Sequence, residues 1–191
     1  MTNTEILRWI KTNLGPVIRD ALAAKQTIYT EDWLAAIAMR ETGGLIAKRL
    51  LNGGSAVKSG NQLNVIAALM TGDYTQRPGE KEKQYHGFGF WQADIGSFSA
   101  FVHSGDWKDP AKSCAKAVDI IDGKRLWLES HSIKFNALPV QDQHRAITAA
   151  YNCGEGNVNH VLDEGHDIDA RTADHDYSKN VWEFRERYKT L

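Results

Sequence analysis

Apolar residues recur along this chain three and four positions apart, the spacing of a helix with one buried face. Ile6, Leu7, Ile10 and Leu14 share one side of a segment from Thr4 to Leu14, and Pro16 restarts the pattern with Val17, Ile18, Ala21 and Leu22. Thr30 to Thr42 reads as a further helix, with Thr30 as N-cap, Glu31 and Asp32 at the positive end of the dipole, and Gly43-Gly44 as the stop. Asn52-Gly53-Gly54-Ser55 and Ser59-Gly60-Asn61 break the chain; a short apolar helix from Leu63 to Met70 follows, then a polar loop from Thr71 to Tyr85 that suits the rim of a cleft. Asp109-Pro110 opens the longest helical pattern, Ala111 to about Phe135 with an interruption at Gly123. A helix from His144 ends at Gly154, a turn opens another short one, and Tyr177, Val181, Phe184 and Tyr188 mark a closing helix. No repeat, low-complexity tract or linker divides the chain, so residues 1–191 are expected to form one mainly α domain, α+β in detail, with a loop or short β-hairpin region lining a cleft.

Two segments carry more than core pattern. On the Thr30 helix, Leu34, Ile37 and Ala38 form an apolar stripe whose continuation lands on Glu41. A carboxylate there is either paired, with Arg40 or another base, or held protonated with a raised pKa, the state that a general acid needs. The second segment, Tyr85-His86-Gly87-Phe88-Gly89-Phe90-Trp91-Gln92-Ala93-Asp94, packs glycines, aromatic rings, an amide and a carboxylate into ten residues. Glycines let a ligand approach the backbone, the rings of Tyr85, Phe88 and Trp91 suit pyranose faces, and Gln92 and Asp94 offer directional hydrogen bonds. His86, just before the turn, is placed to reach a sugar hydroxyl or acyl group. A tight packed turn is the plain alternative.

A third segment makes a resemblance specific. Ala149-Ala150-Tyr151-Asn152-Cys153-Gly154-Glu155-Gly156-Asn157-Val158 is similar to the Ala-Tyr-Asn-Ala-Gly-x-Gly-Asn-Val signature of goose-type lysozymes and the related soluble lytic transglycosylases. Met39-Arg40-Glu41-Thr42-Gly43-Gly44 resembles that family's Arg-Glu-Ser-x-x-Gly segment, Gly87 to Asp94 resembles its Gly-Phe-Gly-Leu-Met-Gln-Val-Asp, and Asp174 to Val181 resembles its closing Asp-Asp-Tyr-Ala-x-x-Val. The four motifs lie in order over positions 39 to 181. Thr42 replaces the family's Ser, Trp91 its Met and Cys153 its Ala. The family's additional aspartate before the Gly-Phe-Gly turn is missing, leaving Glu80, Glu82 or the more distant Asp73 as candidate supporting acids, although Glu80-Lys81-Glu82-Lys83 also reads as a solvated run.

The resemblance implies a lysozyme-like fold and a muramidase that cleaves the β-1,4 bond between N-acetylmuramic acid and N-acetylglucosamine in peptidoglycan. Glu41 would be the general acid, and Asp94 would activate water on the opposite sugar face, giving inversion with the carboxyls roughly 6.5 to 9.5 Å apart. Tyr151 and Asn152 would bind substrate and orient Glu41, with His86, Phe88, Trp91, Gln92 and Tyr177 along the cleft. The rivals are a lytic transglycosylase giving 1,6-anhydro products, a chitinase-like glycosidase, and a non-catalytic wall binder. No metal or other cofactor is implied.

Composition bounds the setting. At 191 residues and 42% hydrophobic content the chain can bury a full core, and its net charge of −1 argues against broad capture of nucleic acid. No run approaches the roughly 18 apolar residues of a membrane span, so no membrane insertion is expected, and the first residues lack the basic-then-apolar order of a signal peptide. The expectation is a monomer made in the cytoplasm and delivered to the periplasm or wall by a secretion machine, as an antibacterial effector, or by phage-mediated release. An immunity protein plugging the cleft near Glu41 is the expected partner, beside peptidoglycan strands. Cys114 and Cys153 allow at most one disulfide, and Cys114 reads as a buried free thiol. The histidines and acids from His160 to Asp176 fit neither a zinc nor a calcium spacing and read as a solvated acidic loop.

Overall fold

The structure, a computed structural model, describes residues 1–25, 27–52 and 62–191. The expected breaks at Asn52–Ser55 and Ser59–Asn61 lie outside the described residues, Asn52 apart. Helices α1 (Asn3–Asn13) and α2 (Gly15–Lys25) precede the long α3 (Glu31–Asn52), and α4 (Gln62–Ala67) leads into strands β1 (Thr71–Thr75), β2 (Gln84–Phe88) and β3 (Ala93–Asp94). Then come α5 (Ser99–Ser104), α6 (Pro110–His131), α7 (Ile133–Asn136), α8 (Val140–Cys153), α9 (Glu155–Glu164) and α10 (Tyr177–Lys189). The fold is mainly helical, as the apolar periodicity predicts, and carries one small antiparallel sheet.

α3 is the axle. Trp33 to Met39 are all buried, and α1, α2 and α10 pack around it. The helix does not stop at Gly43-Gly44. Met39, Thr42, Gly43 and Ile46 continue its buried side past the glycines, and this burial outweighs a helix penalty of about 1 kcal/mol for each glycine. The Thr42 hydroxyl donates to the carbonyls of Ala38 and Phe90, so the helix is tied to the Gly-aromatic turn one residue beyond Glu41. Trp91 ties it again, its indole N–H donating to the Leu34 carbonyl at 2.9 Å.

The expected polar loop from Thr71 to Tyr85 is instead the hairpin β1–β2, with Thr71 opposite Phe88, Gly72 opposite Gly87 and Tyr74 opposite Tyr85; β3 pairs with β2 through Gly87 and Asp94. Its strands are largely solvent-facing, so the apolar alternation that announces a strand is absent. Arg77-Pro78-Gly79-Glu80 turns within the connection, Gly79 taking φ 89° and the Glu80 N–H donating to the Arg77 carbonyl. α6 likewise crosses Gly123 without interruption and ends at Ser132, whose hydroxyl caps the short α7.

The acidic segment after α9 is not simply solvated. Asp169 is fully buried and accepts hydrogen bonds from the backbone N–H groups of Ser178 and Lys179 and from the hydroxyls of Ser178 and Thr172. It satisfies the first turn of α10, whose orphan amides need acceptors. At the far end of the same helix Arg185 pairs with Asp32, and the Tyr188 hydroxyl donates to Glu31 at 2.5 Å, so both ends of α10 are fastened, the second directly to the start of α3.

Candidate active site

Glu41 stands on α3 one residue before the Thr42 tie to the Gly-aromatic turn, and it lines a cleft of about 660 Å³ together with Gly72, Asp73, Arg77, Gly87, Gln92, Asp94, Tyr151 and Asn152. The residue as a whole is half-buried, and burial of its carboxyl pushes the pKa up to about 7 against the opposing effects of a hydrogen bond from Tyr177 and the charge of Arg40. The alternative of an ion pair with Arg40 is not what forms: the guanidinium bonds Asp174 at 3.0 Å and Asp176 at 3.1 Å and lies over the Tyr177 ring. Tyr177 is itself buried beneath the acid, and its hydroxyl donates to Glu41 Oε1. Burial foremost raises this phenol well above its ordinary range, so it stays a donor at every working pH.

Asp94, at the end of β3 and lining the same cleft, is ionised. Its partial burial works against charge, but the Arg77 guanidinium 2.6 Å away and backbone N–H groups from Ser97 and Gly96 outweigh it, and its pKa is lowered. Arg77 also reaches Asp73 at 3.1 Å, which brings two carboxylates and one cation to the same wall. The site thus holds one carboxyl poised near neutrality and another kept negative, the division of roles that acid and base catalysis requires.

Gln92 lines the same cleft with φ 49°, its amide N–H donating to the Gly89 carbonyl at 2.7 Å. The cross-strand pair Gly72 and Gly87 makes room for it: a Cβ on either would fall 2.1 or 2.4 Å from Gln92 Oε1. Tyr151 spans the cleft floor and donates to the Trp91 carbonyl at 2.7 Å; Asn152 accepts from the Ala173 N–H. A smaller hollow of about 290 Å³ shares Gln92, Asp94, Tyr151 and Asn152 and extends past Lys124 and Cys153.

The structure therefore brings Glu41, Asp94, Asp73, Gln92, Tyr151 and Asn152 together. Other expected site residues lie elsewhere. Trp91 is 1% exposed, a core residue and not an aromatic wall, because its indole needs the Leu34 carbonyl. Phe88 packs edge-on against Trp107 outside the cleft lining, and Glu82 is exposed outside it as well. His86 is buried under the hairpin: Nε2 meets Glu80 at 2.8 Å and Nδ1 meets the Asp73 carbonyl at 3.0 Å, so both ring nitrogens face acceptors. The Glu80 carboxylate foremost raises the pKa of His86, and the pair holds the hairpin from within. Glu80 also accepts from the Arg77 N–H at 2.7 Å, so this strap sets the backbone that carries Arg77.

Arg77 is the site residue that sequence reasoning misses. It is 17 positions from Asp94, and the one local signal is the Pro78-Gly79 turn that returns the chain beside it. Both cysteines are free; burial pushes Cys114 up to about 12 and Cys153 up to about 11, which leaves them protonated. Among the described residues no group of three or more His, Cys, Asp or Glu is arranged to hold a metal ion, and no helix is long and apolar enough to cross a membrane. No family model and no curated protein matches the chain.

Proposed function

We propose that this chain is a peptidoglycan muramidase of the goose-type lysozyme kind, with Glu41 as general acid and Asp94 as the base that activates water. The observation that carries the reading is the pair itself: a carboxyl raised to about 7 and a carboxylate held below its ordinary range, lining one cleft. Glu41 would protonate the glycosidic oxygen as the bond to the anomeric carbon breaks. Asp94 would take a proton from the water that attacks the opposite face, which inverts the anomeric centre. Asp73, on the same wall and sharing Arg77, is the supporting acid in this scheme. Tyr177 orients the Glu41 carboxyl, while Gln92 and Asn152 hold substrate polar groups.

One observation favours a second reading. Asp94 is bonded to Arg77 at 2.6 Å, and a carboxylate so engaged is a weak base. In a lytic transglycosylase no activated water is needed, since the muramic 6-hydroxyl attacks and a 1,6-anhydro ring forms. Incubating the purified protein with peptidoglycan and weighing the products separates the readings: reducing ends mean hydrolysis, anhydro ends mean transglycosylation, and no release means a binder. Asp94→Asn should abolish most hydrolysis, and full activity with anhydro ends would assign the reaction to Glu41 alone. Delivery to the periplasm as an antibacterial effector, with a cleft-plugging immunity protein, belongs to the same proposal. Growth unaffected by periplasmic expression of the wild type would count against it.

A further inference from the structure

Of the three rings that the sequence sets beside the cleft, Trp91 is buried, Phe88 rests on Trp107, and Tyr85 alone faces solvent, 45% exposed. Tyr85 has a companion. Tyr74 stands opposite it in the β1–β2 register, 57% exposed, with the two ring centroids 4.8 Å apart and the planes tilted by 47°.

The direction of the pair follows from strand geometry. Along β2, residues two apart share a face, so Tyr85 points to the side of Gly87 while the intervening His86 points to the other and is buried. Gly87 lines the cleft, and the direction of its missing Cβ leads straight to Gln92. Ring contact with Tyr85 fixes Tyr74 on the same side. The tyrosines therefore continue the sheet wall of the cleft outward, about 7 Å beyond the glycine pair along the strand.

We propose that Tyr74 and Tyr85 form a sugar-stacking subsite at the outer end of the cleft, taking one N-acetylhexosamine ring of a β-1,4 glycan whose next residues lie over Gly72, Gly87 and Gln92. This rests on the glycan-cleaving reading above. The C–H face of a pyranose is apolar and meets the electron-rich face of a phenol ring well, while the phenol oxygens remain free to bond hydroxyls at the edge. The surroundings favour a sugar over a protein partner: Thr75, Gln76, Lys83 and Gln84 are exposed and polar, so the apolar area is two rings wide, far short of the roughly 800 Å² a side of a standard protein interface. The glycines below supply the close approach and the tyrosines the flat apolar surface. Among the residues that line the cleft itself, the aromatic member is Tyr151, whose hydroxyl is committed to the Trp91 carbonyl.

The experiment uses the full chain carrying Glu41→Gln, which leaves binding without turnover, titrated calorimetrically with the β-1,4 hexamer of N-acetylglucosamine. In this background the double change Tyr74→Ala with Tyr85→Ala should weaken binding about tenfold, the scale of one good aromatic contact, and Tyr74→Phe with Tyr85→Phe should keep it. Thermal unfolding of each protein checks that the fold is retained, and Tyr74→Ala alone serves if the double alanine variant melts early. Equal affinity in all three proteins overturns the subsite while leaving the glycan reading in place. Equal loss in both double variants also overturns it, since the hydroxyls and not the ring faces would then hold the sugar. If the Glu41→Gln parent fails to bind the hexamer at all, the subsite and the glycan reading fall together.

Discussion

Opposing forces act on the Glu41 carboxyl, and each can be removed separately. Burial raises its pKa, while the Tyr177 hydroxyl and the Arg40 charge pull it down. Tyr177→Phe takes away a lowering contribution, so the alkaline limb of the pH–activity profile should move to higher pH than in the wild type; a profile unmoved or shifted to lower pH would refute the coupling. Stability follows the same sign. An acid with a folded pKa above its unfolded 4.5 takes up a proton on folding, so stability is full below about pH 4.5 and falls as pH rises toward 7. Glu41→Gln should therefore melt above wild type at pH 8, match it near pH 4, and retain less than about a hundredth of wild-type turnover. In the same cleft, Arg77→Gln frees Asp94 from its neighbouring cation, and the acid limb of the profile should rise.

Elements were legible from the sequence where burial is one-sided and hidden where it is not. α1, α2, α8 and α10 carry apolar stripes that name their own buried faces. The Gly43-Gly44 stop failed because a glycine's local cost is small beside the burial of Ile46 three positions on. The strands of the expected loop or β-hairpin region could not be placed for the converse reason, since exposed positions keep tyrosine, glutamine and aspartate outside. Of the site, Glu41, Asp94, Gln92, Tyr151 and Asn152 were readable from residue type and motif, but Arg77 and the burial of Trp91 and His86 depend on which elements meet. Two predictions belong at this scale. Asp169→Ala strips buried acceptors from the first turn of α10 and should cost about 2 to 4 kcal/mol in urea unfolding. Gly87→Ala drives a methyl onto the flexible end of Gln92, so activity should fall at least tenfold while the melting temperature moves little.

Taken as one molecule, the chain assembles its site from distant segments: the acid comes from α3, the negative wall from the sheet, the floor from α8, and the buried donor from α10. Tyr177 is 136 positions from Glu41, and the Asp174 that engages Arg40 is 134 positions from it. Contacts of such long separation form late in folding, because loop closure must be met before they reward it. On the ribosome the same order becomes a matter of timing. A nascent chain must add 136 residues after Glu41 before the phenol that orients it, and the helix that carries that phenol, exist. The acid meets its buried donor only once α10 has been made.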